Sequence, residues 1–180
     1  NIMSDNKSTL KYTDERDRCY GLAGMAMSIV VMDSEGLLAG IDVDAPADEM
    51  MKFTPDYYFA GNPRLSARIA WNHLVEHYNV TMGMLVANVL CRYYVHRREE
   101  ITPEMLKLVH QYVVEEGSET CQLEEDEVNS LFNKQFSYMQ RLFRHSGVQS
   151  VVNDFVNVLE ERRHMSVSEV MEGLRALSMI

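Results

Sequence analysis

The chain has 180 residues, with 17 Lys and Arg against 27 Asp and Glu, for a formal net charge of −10. That length suits one domain whose core removes roughly 70% of the unfolded surface from water, so neither a metal nor a disulfide is needed for stability. The charge argues against a nucleic-acid partner, because phosphate neutralisation by Lys and Arg supplies most of that affinity.

Cys19, Cys91 and Cys121 are odd in number and lack C-x-x-C spacing, which points to free thiols in a reducing compartment. No charged-then-apolar leader opens the chain. Its uncharged stretch Cys19 to Met32 is 14 residues, short of the roughly 20 a membrane span requires. A cytoplasmic protein with no membrane partner is expected. Asn1-Ile2 ahead of Met3 read as a cloning remnant. Thirteen methionines fit plastic core filling better than a Met-rich docking surface. Residues 1–59, 60–114 and 115–180 carry −6, +2 and −6, so a mildly basic middle lies between two acidic flanks.

In chain order, residues 1–12 are polar and read as a frayed tail, with 13–180 as a single helical domain. Thr13 can cap a helix whose first turn holds Asp14, Glu15 and Asp17. It continues to about Met32, weakened by Gly21 and Gly24. A short β-hairpin near 27–44, with limbs Met27–Asp33 and Leu37–Asp44 turning at Ser34-Glu35-Gly36, competes with its second half. The helix is favoured for the first half, with an extended segment allowed at Leu38–Val43. Residues 45–62 hold two of the four prolines and read as a loop, with room for one helical turn at Asp48–Lys52.

Asn62 caps a helix with Pro63 at its first position, running to about Tyr78. Thr81 starts the next, Met82 to about Arg97, whose only strongly polar residues up to Val95 are Asn88 and Arg92. A helix apolar nearly all round belongs in the middle of a bundle. Thr102-Pro103 opens a helix that stops at Gly117. The acidic run Glu124–Glu127 leads another, with apolar residues at Val128, Leu131, Phe132, Phe136, Met139, Leu142 and Phe143 and an end at Gly147. Val148 to about His164 follows. Ser166-x-x-Glu169 forms a capping box for a last helix to about Met179. The expected fold is all-α, a bundle of six to eight helices around 82–97.

Few residue groups suggest chemistry. His73-Leu74-Val75-Glu76-His77 has the H-x-x-E-H spacing of the inverted zinc peptidases. Histidines four apart share a helix face and can reach one Zn²⁺, and Glu76 could activate its water. The further acidic ligand and the α/β domain of those enzymes are missing. Metal binding by His73, Glu76 and His77 is therefore a minor reading.

The helix start at Asn62 with Arg64 and Arg68 one turn apart could hold an anion, walled by Tyr57 and Tyr58. The competing reading has those arginines paired with Asp42, Asp44 or Asp56. Arg92 needs a partner inside its apolar helix, most simply a buried ion pair and alternatively a ligand contact. Asp42-Val43-Asp44 does not open an EF-hand, since Ala47 and Phe53 stand where glycine and glutamate are required. No catalytic residue and no cofactor is assigned. The sequence favours a non-enzymatic protein acting through protein contacts or homo-oligomerisation. A small anionic-ligand or metal site in the 54–77 region is the alternative.

Overall fold

The computed structural model describes residues 11–46, 49–57 and 71–179, with side chains from Val75 onward in the last segment. The tail up to Leu10 and the helix start at Asn62-Pro63 lie outside these residues.

Helix α1 spans Glu15–Val31. Its cap is Asp14 rather than Thr13: the Asp14 carboxylate accepts from the Asp17 N–H at 2.8 Å, and the Thr13 N–H donates back to Asp17 at 2.9 Å. The helix is buried almost all round because glycines let it approach its neighbour. A Cβ at Gly24 would lie 2.5 Å from the Ala87 carbonyl oxygen and 2.7 Å from Cys91 Cβ.

The helix therefore claims Met27–Val31, the first limb of the alternative hairpin. Asp33 then turns with φ 53°, and strand β1 follows at Leu38–Asp42, within the stretch allowed to be extended. Its partners lie elsewhere. Strand β2, Met51–Phe53, and strand β3, His164–Ser166, flank it antiparallel in the order β2-β1-β3. Met51 and Lys52 thus sit in a strand, not in a helical turn. Short strands of this length gain stability only when paired on a packed face, which isolated sequence windows do not reveal.

Helix α2 spans Trp71–Leu90 and continues as a π-helical segment, Cys91–Arg97. The break expected at Thr81 is absent. Thr81 Oγ1 donates to the His77 carbonyl at 2.8 Å, a bond made inside a helix rather than at its start. From Met82 to Val95 every residue is buried, Asn88 and Arg92 included. This rod packs against α1, α3 and α4 and is the centre of the molecule.

Helix α3, Pro103–Cys121, is capped by Thr102, whose Oγ1 accepts from the Met105 N–H. It runs past Gly117 to a left-handed Gln122, φ 56°. Gly117 is a packing glycine: a Cβ there would lie 2.7 Å from the Tyr78 hydroxyl and 2.8 Å from Val128 Cγ2. Helix α4, Glu125–Arg144, opens with a reciprocal capping box between Glu124 and Glu127. It ends at His145, not Gly147. His145 Nδ1 accepts from the N–H groups of Gly147 and Val148, capping helix α5, Ser146–Arg162.

After β3, Ser166 and Glu169 form the expected capping box of helix α6, Val167–Leu174. The chain then tightens into a 3₁₀ turn, Arg175–Met179, in place of continued α-helix. The fold is an all-α bundle, with six helices among the described residues and a small three-stranded sheet. Met27, Met50, Met51, Met82, Met84, Met105, Met139 and Met165 fill its core. None of the described helices is long and apolar enough to cross a membrane.

Candidate functional site

Among the described residues, four places gather polar chemistry. The first is the surroundings of Arg92, which is fully buried. Its guanidinium reaches Asp17 through Nε, 3.2 Å from both carboxylate oxygens, and through Nη2, 2.9 Å from Oδ2. Nη2 also donates to the Lys11 carbonyl at 2.9 Å, and the Tyr12 ring lies 4.7 Å away. Arg97 adds a second cation, with Nη2 3.3 Å from Asp17.

The π turn explains why two arginines share one carboxylate. In an α-helix, positions five apart diverge by about 140°, whereas i→i+5 pairing brings them nearly in line. Burial pushes the Asp17 carboxyl up. The hydrogen bond and charge of Arg92, the Thr13 N–H and the charge of Arg97 outweigh it and hold Asp17 below the usual carboxylate range. The arrangement fastens α1 to α2, and the fork of Arg92 is spent on that task.

The second place is the 54–77 region. Tyr57 is buried, its ring 4.5 Å from Phe53 and 5.8 Å from His77, and its hydroxyl bonds Thr81 Oγ1. Burial pushes the Tyr57 phenol up, against the Thr81 bond, and the nearby charge of Glu116 adds to the shift. Burial likewise raises Glu116, helped by Glu119. Of the H-x-x-E-H residues, His77 is buried and Glu76 exposed. All three lie on α2, but the side chain of His73 is outside the described set, as are Tyr58, Asn62, Arg64 and Arg68.

The third is a clasp at the sheet that local motifs could not reveal, because its members are far apart in sequence. His164 Nδ1 lies 3.0 Å from Asp42, and Nε2 lies 3.4 Å from Asp44. One ligand atom from each of the three residues falls within 4.8 Å of the others. Arg163 already occupies the neighbourhood. It donates to Asp44 from Nε at 2.8 Å and to Glu15 from Nη2 at 2.6 Å. Its hydrogen bonds lower both carboxyls. The group works as an ion-pair clasp between the sheet and the start of α1.

The fourth is the outer face of α4. Tyr138, Arg141, Leu142, His145 and Val148 line an open depression of about 210 Å³. Tyr138 is 41% exposed, and Glu124, Glu127, Lys134, Arg141 and His145 are exposed with it. The strong amphipathic spacing of this helix was legible in the sequence. Its outer face keeps an aromatic, Tyr138, close to Arg141 and His145. Compared with known protein families, with curated proteins and with solved structures, the chain matches none.

Proposed function

We propose that this is a non-catalytic helical protein of the cytoplasm that acts through contacts with other protein chains, copies of itself first. The observation that carries this reading is the α4 face, where Tyr138, Arg141, Leu142 and His145 surround a shallow depression. Tyr and Arg are enriched at interfaces, where an aromatic body meets a group able to bond on its rim. All three cysteines are buried, where a thiol packs as a small hydrophobe, in keeping with a reducing compartment. The net charge of −10 disfavours nucleic acid and favours protein over phosphate surfaces.

Sedimentation velocity from micromolar to millimolar protein tests the reading. A concentration-dependent shift from monomer to a larger species is expected. A clean monomer throughout overturns the self-association version.

A second reading, a small anion or metal held in the 54–77 region, is favoured by the Tyr57 ring lying 5.8 Å from that of His77. Elemental analysis of purified protein, with and without His73→Ala, tests the metal. Phosphate, carboxylates and nucleotides test the anion, since a ligand of the native state must raise the melting temperature. No bound metal and no thermal shift would dismiss it.

A further inference from the structure

The outward stripe of α4 is complementary to itself when reversed. Glu127, Leu131, Lys134, Tyr138 and Arg141 recur every three or four residues and so lie on one helix face, with the caps Glu124 and His145 at its two ends. All of them but Leu131 are exposed, and Leu131 is half-buried. Their order along the helix is acidic, apolar, basic. Glu124 and His145, Glu127 and Arg141, and Leu131 and Tyr138 form three couples. Each couple is centred on the same point, at Lys134 or between it and Gln135.

From this placement we infer that the protein forms a symmetric dimer in which two α4 helices pair antiparallel across a two-fold axis beside Lys134. A second copy is the occupant because rotation about that axis superposes every couple on its complement. Glu127 meets the partner's Arg141, Glu124 accepts from Nε2–H of the partner's His145, whose Nδ1 is held by its own helix start, and Tyr138 covers the partner's Leu131. Each contact occurs twice, as in any isologous interface. The opposed helix dipoles add to the match. The acidic start of one helix enters the depression that Arg141 and His145 border at the end of the other. A single helix of about 30 Å on each side is a small interface, so the dimer belongs to the weak, reversible class. Lys134 against its own copy is the unfavourable element.

This inference rests on the self-association reading above, and its test separates the two. Arg141→Glu and Glu127→Arg should each raise the dimer dissociation constant by about tenfold or more, since each reversal acts twice. The double variant, carrying both changes in one chain, should restore dimerisation. Glu127→Gln, which can still accept the capping bond from the Glu124 N–H, should weaken the dimer with little change in melting temperature. Lys134→Gln should tighten it.

Lys134→Cys should form an intermolecular disulfide under mild oxidation, while Ser150→Cys on α5 should not. If the wild type dimerises but Arg141→Glu leaves it unchanged and Lys134→Cys fails to cross-link, the α4 pairing is wrong and another interface holds the copies together. If the wild type never dimerises, both readings fall.

Discussion

Arg92 and Asp17 meet across two helices with Nη2 2.9 Å from Oδ2, and neither side chain is exposed to solvent. The central rod therefore carries a full charge in its middle, and α1 supplies the opposite charge at its first turn. Removing one partner of such a pair leaves an uncompensated buried ion. Asp17→Asn should cost about 3–5 kcal/mol of unfolding free energy, measured by urea titration. A loss below about 1 kcal/mol would mean that water or another group takes over the carboxylate's role.

The same pair sets an acid limit. Asp17 is held below its ordinary value of 3.8. A depressed carboxyl contributes stability that is present above the unfolded value and lost as pH falls through the folded one. Wild-type melting temperature should therefore fall steeply below about pH 4. In Asp17→Asn this component of the acid slope should be missing, and an unchanged slope would point to other carboxylates.

Glu116 works in the opposite sense. Burial, with Glu119 adding, raises its carboxyl above the ordinary 4.5. A raised group contributes stability present below its unfolded value and lost as pH rises through the folded one. Glu116→Gln should raise the melting temperature at neutral pH and change it little at about pH 4. Equal effects at both pH values would assign the gain to something other than its charge.

Gly24 tests close packing between α1 and α2. Alanine is the better helix former by about 1 kcal/mol. At this position, however, its methyl would collide with the backbone of Ala87 and with Cys91. Gly24→Ala should destabilise by about 1–3 kcal/mol. Gly36→Ala, where a Cβ meets nothing within 4 Å, should stay within about 0.5 kcal/mol of wild type.

The thiols should be inert until the chain unfolds. Burial is the main cause that pushes Cys19 up to about 12 and Cys121 up to about 11, and Cys91 is raised too. Iodoacetamide at about pH 8 should leave all three unmodified in native protein and alkylate them in urea, read by intact mass, because the thiolate is the reactive species. Modification of the native protein would show that the core opens.

Helix propensity and spacing made most of the bundle readable: the rod from Met82, the cap at Thr102, the acidic start of α4 and the box at Ser166 are all local signals. What escaped reading depends on distant partners. Thr81 stays inside a helix, where its hydroxyl meets that of Tyr57, 24 residues earlier. Gly117 is passed over because Tyr78 and Val128 press on it. His164–Ser166 becomes a strand only because β1 lies beside it. The π turn serves Asp17, which lies 80 residues from Arg97. Of the sites, the need of Arg92 for an anion was evident, but the identity of that anion was not. The clasp of Asp42, Asp44 and His164 joins two ends of the sequence and has no local signature.

Strand β1 sits between β2 and β3, so its hydrogen bonding is completed by a segment synthesised after five of the described helices. A growing polypeptide must carry the first two strands as an unfinished ribbon until residues 164–166 leave the ribosome. Folding of this corner is thereby coupled to the late emergence of residues 164–166, and a product terminated before them would expose a raw strand edge of the kind that invites aggregation.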